Sequence, residues 1–323
     1  MGFFQNYKFN SLMINSFRPS DQTMEVGKNE SLKYHYTSPE AFLSILKNRC
    51  VYFTDIRYLN DKKEDVYLIE LIRKYIIKNP DRFPMAYTAF DNLLGDSESG
   101  EVTSLSEVKY KYEKVRKFVF CTCTEYDSLS MWNYYVNNGN YQGYNIGFNI
   151  EKFLNTFDTA EPRTADPFVA LYGQILYEEK EQFKEIDRIL QTIENEYLSQ
   201  GLEFARVNLF IYIDRYSPFF KNPKFAHEKE YRIVIEIDER YLKNHGFEKC
   251  FGENNRKIKY DFRLKQGVVV PFLNVSFNED AISRITVSPI TEFEIAKDGI
   301  RELLRVYGFK GIKTYHSRIP IRF

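Results

Sequence analysis

Apolar and polar residues alternate in several short stretches of the chain, as they do in β-strands that bury one face. The stretches are 32–37 (LKYHYT), 51–55 (VYFTD), 118–124 (FVFCTCT), 144–150 (YNIGFNI) and 230–237 (EYRIVIEI). Helical spacing of apolar residues occurs between them, over 39–48, 62–78 and 178–215. Groups of strands separated by helices predict an α+β fold with a mixed, mainly antiparallel central sheet, flanking helices and helical insertions.

The same pattern gives the predicted domain organisation. Residues 1–30 are polar and irregular, which indicates an N-terminal arm. Residues 31–323 are predicted to form a single α+β domain with helical insertions near 62–116 and 178–220. No internal repeat and no clear linker interrupts this part of the sequence.

The stretch 117–150 reads as strand, turn, short helix, polar loop and strand, and it contains the only tryptophan of the chain, Trp132. The polar segment 128–142 is predicted to lie at an edge of the sheet, where we expect a functional site. Trp132 is interpreted in two ways, as a platform that stacks on a ring or as a core residue on the apolar side of its helix.

Composition narrows the class of protein. The 323 residues carry 45 Lys+Arg and 45 Asp+Glu, so no global charge directs the chain to nucleic acid or to an acidic membrane. No apolar run reaches the roughly 20 residues of a transmembrane helix, and the N-terminus does not resemble a signal peptide. We therefore expect a cytoplasmic protein without a membrane partner, with its four cysteines as reduced thiols.

Few recognised catalytic patterns are present. The chain lacks a GxSxG elbow and a phosphate-binding GxxxxGK[ST] loop. Four carboxylates, Asp61, Glu64, Glu228 and Glu230, permit a second hypothesis, a metal-dependent nuclease, although solvated or salt-bridged carboxylates explain the same residues. The spacing by itself predicts no metal site.

Five motifs in order resemble a bacterial family, domain-of-unknown-function family 2971. They are YHYTSPEAFLSIL (34–46), RYLNDKKE (57–64), FCTCTEYDSLSMWNYYVNNGNYQGYNIGFNI (120–150), KFAHEKEYRIVI (224–235) and YGFKGIKTYHSRIPIRF (307–323). The resemblance extends over nearly the whole chain from about residue 32. The name of this family implies no activity.

A second resemblance implies chemistry. The triplet HYT (35–37) on a first strand, followed by YFTD (52–55) and a later strand glutamate, is similar to ADP-ribosyltransferases with a histidine–tyrosine–glutamate triad. The resemblance implies an NAD-dependent enzyme, such as a bacterial toxin or phage-defence effector. In such an enzyme the histidine holds a ribose of NAD, the tyrosine stacks on nicotinamide and the glutamate stabilises the oxocarbenium-like transition state. The implied catalytic residues are His35, Tyr52 and Glu230, and the implied NAD-binding residues are Tyr36, Thr37, Tyr58, Asn60, Trp132 and Arg232.

Several alternatives remain open. Tyr36 stands where those enzymes carry a small residue, Tyr58 competes with Tyr52 for the stacking role, and Glu228 competes with Glu230 for the catalytic role. A third hypothesis is a non-catalytic protein- or nucleotide-binding module that docks its ligand on the aromatic residues of 132–141. The acceptor of any transfer reaction, protein or nucleic acid, is not indicated.

Overall fold

The computed structural model describes residues 14–17, 32–59, 64–94, 115–136, 140–155, 168–239, 242–244, 246 and 258–321, with backbone only for 14–17, 64 and 65. The chain forms two compact units. Unit 1 comprises residues 1–58, 116–174 and 227–323, and unit 2 comprises residues 59–115 and 175–226.

Unit 1 contains a sheet in which eleven strands are described. They are β1 (Ile14–Phe17), β2 (Lys33–Thr37), β3 (Cys50–Asp55), β4 (Val115–Cys123), β5 (Tyr144–Phe148), β6 (Phe168–Gln174), β7 (Glu230–Asp238), β8 (Ile258–Lys265), β9 (Val268–Ser276), β10 (Ile282–Val287) and β11 (Lys313–His316). Its described helices are α1 (Pro39–Asn48), α4 (Leu129–Tyr134), α5 (Ile150–Leu154) and α8 (Phe293–Val306). Ser38 caps α1 as its sequence position predicts, because its hydroxyl accepts from the Ala41 backbone N–H at 3.2 Å.

The sheet divides at β4. Its main path runs β1-β6-β7-β4-β2-β5-β10-β11, while β4 also pairs with β3, which continues to β9 and β8. On the same edge of β4, Cys123 pairs with Tyr34 of β2 and Val119 pairs with Thr54 of β3. We call the interval between these two pairings the fork, and Cys121 lies at its middle.

Alternate side chains on a strand point to opposite faces of the sheet. Phe120 and Tyr231 belong to the main hydrophobic core, together with residues of α1, α5 and α8, and we call their side the core face. Cys123 belongs to a separate cluster with Tyr36 and Trp132, and we call that side the opposite face. Every strand residue of the site can be assigned to one face by these two clusters.

Unit 2 is helical in its described part. Its helices are α2 (Glu64–Lys78), α3 (Pro84–Leu94), α6 (Glu179–Gln200) and α7 (Leu202–Tyr216). The Glu194 carboxylate accepts from the Ala86 N–H at 2.8 Å, which satisfies a free donor in the first turn of α3. Asp187 accepts from Arg82 at 2.9 Å and from the Tyr75 hydroxyl, so that α6 is linked to α2 and to the α2–α3 connection.

The predicted α+β class with a mainly antiparallel sheet is confirmed, since among the described strand pairs only β10–β11 is parallel. The predicted insertions near 62–116 and 178–220 overlap the two segments of unit 2. The predicted N-terminal arm lies mostly outside the described residues, but Ile14–Phe17 forms β1 and pairs with β6. Strand pairing uses backbone groups, so a short edge strand needs no marked alternation. Within the described residues, no helix is long and apolar enough to cross a membrane.

Candidate functional site at the fork of the sheet

His35 occupies the fork from the core face. Its Nδ1 donates to the Cys121 carbonyl at 3.1 Å, and Cys121 lies between the residues of β4 that pair with β2 and with β3. Its ring lies 5.0 Å from that of Phe120. Burial lowers the pKa of His35 to about 4, the nearby Arg263 cation lowers it further, and the bond to Cys121 opposes both effects. At neutral pH the imidazole is therefore uncharged, with its proton on Nδ1.

Glu230 and Arg232 lie on the opposite face. They flank Tyr231 in β7, and Tyr231 belongs to the main core, so their side chains point away from it. Arg232 donates to the same Glu230 oxygen from Nε at 2.9 Å and from Nη2 at 2.7 Å. Both side chains are buried, so the carboxylate is held by a buried ion pair rather than facing solvent.

The structure does not bring the implied triad together. His35 lies on the core face, whereas Glu230 and Tyr52 lie on the opposite face, Tyr52 because its neighbour Phe53 is in the main core. Tyr52 is 39% exposed and packs on Phe272 with ring centroids 4.2 Å apart. The three groups thus do not surround one NAD molecule in the way that the resemblance implies. ADP-ribosyltransferase activity itself stays a prediction.

Two of the residues implied in NAD binding are structural. The Tyr36 hydroxyl donates to the Glu125 carbonyl at 2.8 Å and accepts from the Ser128 N–H at 2.9 Å. Trp132 is fully buried, contacts the Tyr36 ring edge-on at 4.9 Å and donates from Nε1 to Asp127 at 2.8 Å. Trp132 is therefore a core residue, the second of its two interpretations, and is not accessible for stacking.

The remaining residues of the prediction are scattered. Thr37 is buried at the end of β2. Tyr58 ends a short 3₁₀ segment, where the Arg57 guanidinium lies 5.9 Å from its ring. Asn60 lies outside the described residues, as do Asp61 and the side chain of Glu64. The four-carboxylate nuclease site therefore stays a prediction. Among the described residues there is no group of three or more His, Cys, Asp or Glu suited to a metal ion.

A row of ionisable groups follows the opposite face across the fork. The Tyr135 hydroxyl donates to Glu228 at 2.6 Å, and burial, followed by the charge of Glu228, raises the pKa of Tyr135. Cys121 lies close enough to interact electrostatically with both Tyr135 and Lys265. Lys229 adopts a left-handed conformation with φ 45°, which is uncommon for a residue with a Cβ and turns the chain between Glu228 and β7.

Arg263 of β8 completes this row. It donates to the Thr54 hydroxyl at 2.9 Å, and its guanidinium lies 5.5 Å from the Tyr52 ring centroid and 5.8 Å from that of Phe272. Burial lowers its pKa. Its Nε is buried without a hydrogen-bond partner, and no carboxylate of the described residues pairs with it. Arg263 is thus a partly desolvated cation without a neutralising carboxylate in the described part of the chain.

Sequence reasoning missed most of this row. Tyr135, Cys121, Arg263 and Lys265 were not among the predicted site residues. The alternation of Ile258, Tyr260, Phe262 and Leu264 was a signal for β8 and for the shared face of Arg263 and Lys265. No local pattern indicates that this face meets the fork.

The fold and site define an α+β protein with a forked antiparallel sheet and a charged, partly aromatic opposite face. Residues 131–233 match a family described as protein of unknown function (DUF2971), which confirms the predicted resemblance to this family. The matched part, less than half of the chain, runs from α4 into β7 and includes Tyr135, Glu228 and Glu230. No curated protein and no solved structure gives a significant match.

Proposed function

We propose that this chain binds a nucleotide on the opposite face of the sheet at the fork. Arg263 is the phosphate ligand and Tyr52 provides a partly exposed aromatic ring for the base or nicotinamide. The single observation that carries this proposal is the partly buried guanidinium of Arg263, whose Nε is buried without a hydrogen-bond partner and which has no carboxylate partner among the described residues.

The physical argument concerns the cost of a desolvated charge. A buried cation is unfavourable unless an anion or hydrogen-bond acceptors compensate it. Thr54 accepts one of the five guanidinium N–H groups. A phosphate oxyanion is the natural further partner, because the planar guanidinium matches it in a bidentate arrangement. Lys265, whose pKa is lowered by burial and by Arg263, adds a second cation on the same strand face.

The adjoining rings favour a nucleotide over inorganic phosphate. Tyr52 and Phe272 form a tilted aromatic pair beside the guanidinium, and 39% of Tyr52 remains exposed. An aromatic surface next to a phosphate ligand suits a ligand that carries both a planar ring and a phosphate. NAD is the first nucleotide to test, since the resemblance to ADP-ribosyltransferases implies it.

The catalytic form of the proposal is cleavage of NAD, with Glu228 in place of Glu230. Glu228 accepts a hydrogen bond from Tyr135, and Tyr135 interacts electrostatically with Cys121 on the face that Tyr52 and Arg263 share. Glu230, in contrast, is held in an ion pair by Arg232. In this reaction the bond between nicotinamide and the ribose C1′ breaks, and nicotinamide leaves with the electron pair. A carboxylate stabilises the cationic sugar until water or an acceptor attacks and loses a proton.

The test is a set of nucleotide titrations by calorimetry with NAD, ADP-ribose and ATP. Wild type is compared with Arg263→Gln, Arg263→Lys and a control, Arg301→Gln, whose guanidinium lies in an exposed ion pair with Asp298 on α8. Loss of a charged hydrogen-bond ligand costs about 1.5–3 kcal/mol, so Arg263→Gln is expected to weaken binding about 10- to 100-fold. The control should bind as wild type does.

Two results would overturn the proposal: no binding of any of the three nucleotides to wild type at millimolar concentration, or equal binding by Arg263→Gln. Thermal unfolding of Arg263→Gln serves as a control for folding, so that weaker binding is not mistaken for loss of structure. Chromatographic measurement of free nicotinamide separates binding from catalysis. Glu228→Gln should abolish its release if the catalytic form is correct.

A further inference from the structure

A second arginine, Arg284, lies close to two aromatic rings on the other arm of the sheet. Its guanidinium carbon lies 4.3 Å from the ring centroid of Tyr126 and 3.9 Å from that of Tyr315. Its Nε donates to the Thr286 hydroxyl at 3.2 Å. The two rings and the hydroxyl fix the guanidinium, so little side-chain entropy remains to be lost when a ligand binds.

Backbone packing also shapes this position. Arg284 pairs with Gly147 of β5, which in turn pairs with Tyr34 of β2. A Cβ on Gly147 would lie 3.0 Å from the Arg284 Cβ and 3.2 Å from a ring carbon of Tyr34. The absent side chain of Gly147 therefore allows Arg284 and Tyr34 to approach each other on the opposite face.

No carboxylate of the described residues pairs with Arg284. The nearby Asp127 accepts from Trp132 Nε1, from the Ser317 hydroxyl at 2.6 Å and from the Arg318 N–H at 2.7 Å. Burial raises the pKa of Tyr34, so its hydroxyl supplies no negative charge at neutral pH. The Arg284 charge thus has no counterpart in the described part of the chain.

We infer that Arg284, with Tyr126 and Tyr315, forms a second binding site, for a phosphate group carried by a nucleotide or by a nucleic acid strand. A guanidinium that stacks on aromatic rings keeps its N–H groups at its edge, where two of them match two phosphate oxygens. Tyr126 and Tyr315 are 39% and 36% exposed, so their outer surfaces are available to a base. This inference is independent of the site at Arg263.

The test is fluorescence anisotropy with two probes, fluorescein-labelled AMP and a labelled single-stranded 12-nucleotide DNA. Arg284→Gln is expected to lower affinity for the bound probe about 10- to 100-fold, on the same reasoning as for a lost charged ligand. Arg284→Lys keeps the charge but loses the planar fork, so it should recover only part of the affinity. Arg301→Gln is again the matched control.

Each outcome decides the inference. Arg284-dependent binding of AMP indicates a mononucleotide site, and Arg284-dependent binding of the oligonucleotide alone indicates a strand site with several contacts. Binding of neither probe, or binding that Arg284→Gln leaves unchanged, overturns it. The Arg263→Gln variant separates the two sites, because it should leave Arg284-dependent binding intact even if the proposal for the fork fails.

Discussion

Replacing Glu230 with Gln tests whether the carboxylate first implied as catalytic is in fact structural. The substitution keeps the size of the side chain and removes its charge. Arg232, whose side chain is 2% exposed, would then lose the carboxylate of this buried ion pair. Breaking a buried ion pair by removing one member costs about 3–5 kcal/mol. We therefore expect Glu230→Gln to be substantially destabilised.

The expected shift in melting temperature follows from the size of the chain. Unfolding entropy near the midpoint is about 2.1 cal/mol/K per residue, or about 0.7 kcal/mol/K for a chain of this length. A loss of about 3–5 kcal/mol then lowers Tm by about 4–7 °C. Calorimetry of wild type, Glu230→Gln, Arg232→Met and the double variant measures this directly. The double variant should lose less than the two single variants together, because both members of the ion pair are removed at once.

A matched comparison lies on the same strand and face. Glu236 is also buried and lies 3.3 Å from the Lys117 ammonium, so Glu236→Gln should lower Tm by a similar amount. The reasoning would be refuted if Glu230→Gln melted within about 1 °C of wild type. If NAD turnover were abolished in that stable variant, Glu230 would be catalytic after all.

Three further predictions follow from described contacts. The folded-state pKa of His35 is about 4, below its ordinary 6.5, so the stability that the neutral ring contributes is complete above pH 6.5 and falls by about 3 kcal/mol as pH drops to 4. Denaturant titrations of His35→Gln should lack this loss, and a variant with the same pH profile as wild type would contradict the prediction. Asp127→Ala leaves the buried Trp132 N–H without its acceptor, which should cost about 1–3 kcal/mol and change the emission of the only tryptophan, whereas an unaltered spectrum would refute this assignment. Gly143→Ala should be less stable than wild type, because the new Cβ would lie 2.4 Å from the Thr37 carbonyl oxygen. Gly299→Ala is its control in thermal melts, because a Cβ at that position meets no atom of the described residues within 4 Å beyond its chain neighbours and its own helix backbone.

Local patterns in the sequence were sufficient for the elements but not for their arrangement. Alternation correctly places Glu230 and Arg232 on one face of β7, and Ser38 correctly begins α1. Whether His35 shares that face depends on the register of β2 and β7 against β4, which long-range pairing determines. A shift of one residue in either pairing would exchange the faces, and no local feature of the sequence fixes that register.

The candidate site was only partly predictable for the same reason. Tyr52 was identified from its motif and lies at the site. Arg263 and Arg284 are single cations on alternating strands, and their significance comes from what surrounds them: partly exposed aromatic rings, hydroxyl acceptors and no carboxylate partner among the described residues. These surroundings are supplied by segments far away in the sequence, so composition and spacing cannot reveal them.

The pairing of β3 with β4 has a consequence for how the chain length can change. Asp55 lies opposite Phe118, although residues 59–115 of unit 2 separate them along the chain. The two ends of that segment are therefore fixed next to each other by the sheet. Doubling the length of such a loop adds only about 0.6 kcal/mol to the entropy of closure. Residues can thus be inserted at this junction at small entropic cost while the strand pair stays intact, whereas removal of the segment would also remove the contacts of α2 and α3 with α6.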